Sequence, residues 1–277
     1  KKPQADASIP QIPFQAKFSR WFGRNLIRIY MAIAFTYLFI PVAYTFVFSF
    51  NDSGKSNLIW QGFTLGNWQN PCGAPQVCTA LANSIKIGFL ATLFSTILGT
   101  MIAFAVARHK FKGRSTSNLL IFLPMATPEI VLGASLLSLF LVFQINPGFW
   151  PTVIAHVMFC ISFVVVTVKA RIASLDPRLE QAAMDLYANG IETFRRVTLP
   201  LVAPGIAGAA LLAFSLSFDD FIITNFNSGT VTTFPKFIYT SAARGIPAQA
   251  NVIGSAMFFL ALAIVIAGQF VNRRKSR

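Results

Sequence analysis

Two adjacent acids, Asp219 and Asp220, stand inside a long apolar run, flanked by Phe218 and Phe221. An ionised carboxylate at the centre of a membrane helix costs about 2.5–3.5 kcal/mol on insertion scales, so such a residue faces a cavity, a partner or a pathway. Counted from Gly205 at about 1.5 Å per residue, the pair lies roughly 20 Å into its helix. Neighbouring helical positions point about 100° apart, so both acids cannot face lipid, whereas both can line a vestibule. Carboxylates beside aromatic rings offer charge pairing and cation–π surface to a protonated amine. The competing reading ends the helix earlier and leaves the pair in interfacial water. Glu129 is a second carboxylate of this kind. It follows Pro124 and Pro128, and a proline-kinked helix frees backbone carbonyls and opens a cavity. Its alternative is a structural acid paired to Lys86 or to another helix.

Little else in the chain could carry catalysis. The only histidines are His109 and His156, with no His-Glu-x-x-His and no Gly-x-Ser-x-Gly. His156 lies in an apolar run without metal-ligand spacing around it, and reads as a packing residue. Gly54-Lys55-Ser56 has the look of the end of a phosphate-binding loop, but Ser49 stands where the leading glycine belongs. Any ATP hydrolysis therefore falls to another chain. Cys72 and Cys78 bracket a short loop, and an oxidising exterior permits a disulfide there; Cys160, inside an apolar run, reads as packing.

The elements that position these residues are membrane helices. Of 277 residues, 55% are hydrophobic and 12% charged, against about a quarter charged in soluble domains. Six runs are long enough to cross a hydrocarbon core of about 30 Å: Leu26–Phe50, Asn83–Ala107, Asn118–Phe143, Pro151–Ala170, Gly205–Asn225 and Asn251–Val271. The net charge of +14 is gathered in short clusters between them. Lys and Arg concentrate in the N-terminal segment, around 108–114, around 169–196 and at the C-terminal end, whereas the other connections hold only Lys55, Lys86, Lys236 and Arg244. That bias marks the cytoplasmic side, so both termini are expected inside. Residues 1–25 form a cytoplasmic tail, its first half disordered; 26–271 form the membrane domain; 272–277 form a basic tail. No inverted repeat is visible between the halves.

The longest inner connection, 171–204, is mixed in charge and reads as a helix-turn-helix. Asp176 can cap a helix begun by Pro177, with Leu179, Ala182, Ala183 and Leu186 on one face. Gly190 is placed to end it; a second piece runs through Phe194 and Val197 until Pro200 stops it. By pattern alone the hairpin packs on the inner ends of its own bundle. The residue order adds more. Glu180-Gln181-Ala182-Ala183, Tyr187, Val197 and Leu199-Pro200 resemble the "EAA" coupling motif of ABC importer permeases. Gln181 stands at the motif's Glu position, Tyr187 at its Gly and Val197 at its Ile, with Leu199-Pro200 matching outright and every interval kept. The acid is thus displaced to Glu180 or replaced by Gln181, and Gly190 arrives three residues after Tyr187.

The resemblance runs from about Leu26 through Phe270 and is closest to permeases of the spermidine/putrescine class. Asn83-Ser84-Ile85-Lys86, Leu123-Pro124 through Pro128-Glu129-Ile130, and Ser217-Phe218-Asp219-Asp220-Phe221 support it. It implies an all-α polytopic permease of the bacterial cytoplasmic membrane, without a cofactor of its own. Two ATPase subunits, which bind ATP and Mg, would dock on a surface formed by Glu180, Gln181, Ala182, Ala183, Leu186, Tyr187, Gly190, Leu199 and Pro200. The bulky Tyr187 implies a groove of matching shape and a dedicated ATPase. A second, different permease subunit would complete the pathway, and a soluble binding protein would deliver the solute outside. The implied pathway residues are Asp219, Asp220, Glu129, Phe218 and Phe221. Other small organic solutes fit sequences of this look, and a secondary carrier or channel without an ATPase is the rival class.

Overall fold

The computed structural model describes residues 14–54, 56–243 and 245–275. The disorder expected of the first half of the N-terminal tail falls on residues 1–13, outside this set, as do Lys55 and Arg244. Among the described residues the fold is helical, with an isolated bridge between Asn51 and Phe63 as its only β pairing. In chain order the helices are α1 (Phe14–Phe48), α2 (Gly66–Gln69), α3 (Val77–Arg108), α4 (Arg114–Ala126), α5 (Glu129–Val142), α6 (Phe149–Ala173), α7 (Arg178–Asp185), α8 (Gly190–Thr193), α9 (Leu199–Asp219), α10 (Ile222–Asn227), α11 (Phe234–Ala242) and α12 (Ala248–Lys275). A π-turn, Phe194–Thr198, joins α8 to α9. Among the described residues five stretches are long and apolar enough to cross a membrane, six if the bent pair α4–α5 counts as one span.

Three expectations are corrected. Span three is not one kinked helix: α4 and α5 meet at 106°. Pro128 disfavours helical backbone at Thr127, which is extended (φ −79°, ψ 132°), and Pro128 itself has ψ 132°. Span five ends at Asp219 rather than Asn225, because Asp220 is extended and a new helix starts beyond it. Gly190 begins a helix instead of ending one, and Pro200 does not stop it: the helical path runs from Gly190 to Asp219. A proline ring presses on the carbonyl four residues earlier, at position 196; the chain is locally widened into the π-turn there. The helices also reach into both segments read as tails, from Phe14 and up to Lys275.

The chain divides into two compact units. One contains residues 1–70 and 248–277. Within it α1 meets α12 through edge-to-face rings, Phe39 on Phe258 at 6.4 Å and Phe46 on Phe259 at 5.3 Å. Beyond α1 a buried amide box shapes the loop: Asn51 Nδ2 donates to Asn57 Oδ1 (2.7 Å) and to the Ile59 carbonyl (2.8 Å), and Asn57 Nδ2 donates to the Phe48 carbonyl (2.7 Å).

The second unit, residues 71–247, holds the acids. Its core is α3 packed on α6 and α9. On α3 the buried residues Ser84, Gly88, Ala91, Ser95, Gly99 and Ala103 recur every three or four positions and form one small-residue face. Such a face lets helix backbones approach, which is how membrane helices gain packing without a hydrophobic driving force between them. The approach is close: a Cβ at Gly99 would lie 2.7 Å from Val164 Cγ1 and 3.2 Å from the Ile161 carbonyl. Val164, Val168, Val202, Ala209 and Ala213 complete the core. A disulfide joins Cys72 to Cys78 just before and within the first turn of α3, and Cys160 is buried without a partner thiol.

Candidate functional site

Two helix breaks of the second unit carry carboxylates, and a local residue marks each. At the first, Pro128 separates α4 from α5 and leaves Glu129 in the first turn of α5, an exposed position where the helix dipole favours a negative charge. At the second, Asp219 is the last residue of α9 and exposed, while Asp220 turns inward. The elements that hold these carboxylates are packed together, since α10 lies on α5. A Cβ at Gly133 would come within 3.0 Å of Phe226, and Asn227 Nδ2 donates to the Gly133 carbonyl at 3.3 Å.

Asp220 therefore differs from the expectation that both aspartates line an open vestibule. Its side chain is 3% exposed. Its carboxylate caps α10, with Oδ1 accepting from the Ile223 amide (3.3 Å) and Oδ2 from the Thr224 amide (2.8 Å) and hydroxyl (3.1 Å). His156 Nε2 lies 3.3 Å from Asp220 Oδ2 and 2.9 Å from Thr224 Oγ1, and its Nδ1 lies 2.6 Å from Ser217 Oγ. A buried polar group must be hydrogen-bonded to avoid a desolvation penalty, and this network satisfies all four side chains. The physical reason for the difference is the break itself: an acid that starts a new helix is drawn to its free amides. His156, read as a packing residue, is a buried one with every ring nitrogen engaged.

Among the described residues no ion pair joins Glu129 to Lys86, and both are exposed. Phe218 stacks on Phe214 at 5.8 Å and Phe221 on Tyr239 at 4.2 Å; both are half-buried. Sequence reasoning missed Tyr239, whose exposed ring shares the aromatic surface next to the acids, and Ser217 and Thr224, whose roles depend on a histidine some sixty positions away. Lys236 donates to Ser228 Oγ and the Gly229 carbonyl, both at 2.8 Å, so its charge serves the turn before α11.

At the other end of the unit, α7 has no buried residue. Asp176 Oδ1 accepts from the Arg178 amide at 2.9 Å, the cap its sequence position suggests. Leu179, Ala182 and Leu186 remain exposed and Ala183 half-buried, so the stripe they form is not consumed by the chain's own packing. Leu186, Tyr187 and Ile191 are 81%, 98% and 75% exposed. Tyr187 has φ +62°, a left-handed conformation that glycine adopts without penalty. Asn189 and Glu192 form a reciprocal capping box that starts α8. Gln181 is exposed, whereas Glu180 is drawn inward to Arg108 Nη2 (2.6 Å) and the Thr198 hydroxyl (2.7 Å).

A family model described as "binding-protein-dependent transport system inner membrane component" matches residues 95–277. The spermidine/putrescine transport system permease protein PotC of Haemophilus influenzae is 33% identical over 259 residues, 93% of this chain and 99% of the relative. PotC of Escherichia coli K12 is 34% identical over 92% of this chain and 97% of the relative. The putrescine transport system permease protein PotI of the same strain is 33% identical over 81% and 83%. Among solved structures, a bacterial ABC transporter involved in import of the acidic polysaccharide alginate superposes with a TM-score of 0.64 at 16% identity, covering 94% of this chain and 100% of that one. An inward-facing MetNI methionine ABC transporter gives 0.60 at 15%, covering 73% and 96%. With the family model spanning two thirds of the sequence and relatives aligned along nearly all of it, the chain belongs to the family of binding-protein-dependent transport system inner membrane components.

Proposed function

We propose that this chain is one permease subunit of an ATP-binding-cassette importer that carries spermidine or putrescine into the cell across the cytoplasmic membrane, with both termini inside. The observation that carries the cargo assignment is the placing of exposed Glu129 and Asp219 at two helix breaks of one unit, in a chain whose relatives are polyamine permeases. A polyamine is a flexible row of ammonium groups. Carboxylates spaced along a path, with Phe218, Phe221 and Tyr239 beside them, attract each ammonium in turn by charge and ring quadrupole. Asp220 supports this path indirectly, by fixing the break that ends α9 at Asp219.

Energy comes from outside the chain. The exposed Gln181, Ala182, Leu186, Tyr187 and Ile191 offer an apolar surface with a polar edge, and an ATPase subunit docks there. Transport follows alternating access: ATPase closure biases the permease toward its outward-open arrangement, and the bound solute moves between the two states. A second, different permease subunit, two ATPases and an extracytoplasmic binding protein complete the assembly.

The test is ATP hydrolysis by the chain co-expressed with its chromosomal neighbours and reconstituted in lipid. Each binding protein would be supplied with spermidine, putrescine, a neutral sugar or an amino acid. Stimulation by the polyamines alone is expected. Stimulation by another solute would keep the importer class and discard the cargo, and a chain that never associates with an ATPase would overturn the class.

A further inference from the structure

The carboxylate of Glu180 joins three elements at one oxygen. Its Oε1 accepts from Arg108 Nη2, the last residue of α3, at 2.6 Å, and from the hydroxyl of Thr198, at the end of the π-turn that leads into α9, at 2.7 Å. Thr198 is 4% exposed, and the Arg108 and Glu180 side chains are 31% and 24% exposed. One turn before Arg108, Phe104 meets Phe194 of the same π-turn edge-to-face at 5.3 Å. These groups line a notch of about 280 Å³ together with Met184 and Thr193. α7 itself buries no residue, so this shared oxygen is the main polar tie between a short, otherwise exposed helix and two core helices.

We infer that Arg108, Glu180 and Thr198 form an intramolecular latch that transmits movement of α7 to α3 and α9, so that Glu180 is a positioning residue for coupling and not a contact with the ATPase. The inference rests on the reading of α7 as the docking helix. A rigid helix with one hydrogen-bonded anchor passes a push to whatever holds that anchor, and here the anchor is held by the inner ends of two spans that pack on each other. Without it Leu186 and Tyr187, just past the end of α7, would still face a partner, but displacement of α7 would be absorbed locally. The π-turn strengthens the case: a widened turn at Phe194–Thr198 is a deformable point, and Thr198 is where the latch grips it.

The experiment uses the whole transporter in proteoliposomes and measures solute moved per ATP hydrolysed alongside ATPase co-purification. Glu180→Gln and Arg108→Gln are each expected to lower solute per ATP by about fivefold or more, with the ATPase retained in its normal ratio. The exchange Arg108→Glu with Glu180→Arg is expected to recover most of the loss, because the Thr198 hydroxyl can accept from an arginine as readily as it donates to a carboxylate. Unchanged coupling in the single variants, failure of the exchange to rescue, or loss of the ATPase on Glu180→Gln would each overturn the latch. Absence of an ATPase from the unmutated assembly would instead overturn the docking reading beneath it.

Discussion

The two adjacent aspartates do different work. Asp220 is buried against His156, Ser217 and Thr224 and caps α10; Asp219, one residue earlier, is exposed. Asp220→Ala leaves two amides and a histidine without their acceptor, at a cost of about 1–3 kcal/mol for each unsatisfied buried group. A lowered melting temperature and a poor yield of assembled transporter are expected. Asp219→Asn removes only an exposed charge, so assembly should be normal while half-maximal uptake of spermidine shifts upward several-fold. Equal stability of the two variants would contradict this division. The presence of acids in an apolar run was legible in sequence, and so was their cost. Which of them faces inward was not, because His156 reaches Asp220 only after α6 and α9 have packed.

At the scale of elements, the small-residue face of α3 governs the core. Gly99→Val would force a branched side chain against Val164 and the Ile161 carbonyl, and overpacking of this kind costs about 1–3 kcal/mol. Gly208→Ala has open space around its new methyl and is expected to leave stability unchanged or slightly raised, since glycine in a helix costs about 0.5–1 kcal/mol relative to alanine. Thermal melting in detergent separates the two. Tyr187 makes a second element-scale case. Its φ of +62° puts it in a left-handed turn just past the end of α7, a conformation that glycine adopts without penalty. Tyr187→Gly should stabilise the hairpin by about 1 kcal/mol and weaken ATPase retention by removing an exposed ring, with pull-down as the readout. Most helix positions could be read from apolar run length, and the start of α7 from its Asp176 cap, whereas Gly190 and Pro200, read as ends, lie at the start and in the middle of one helical path. The breaks in spans three and five could not. Pro128 and Asp220 were visible as residues, but a kink and a 106° bend share the same local signal, and neighbouring helices decide between them.

For the whole molecule, five helices long and apolar enough to cross a membrane among the described residues, a sixth span if the bent pair α4–α5 counts as one, and a family model matching residues 95–277 describe a permease. Leu186→Asp tests the docking surface at this scale. Because Leu186 is 81% exposed, the fold is spared, and loss of the ATPase from the purified assembly is expected; full retention would remove the turn after α7 from the interface. The cargo assignment rests on the exposed acids, and one measurement reaches it most directly: ATP-driven accumulation of labelled spermidine in proteoliposomes by the unmutated transporter and by the Glu129→Gln/Asp219→Asn double variant. Inward, ATP-dependent accumulation is expected, falling at least about tenfold in the double variant, with assembly and basal ATP hydrolysis intact. Undiminished spermidine accumulation by a double variant of normal assembly would contradict it.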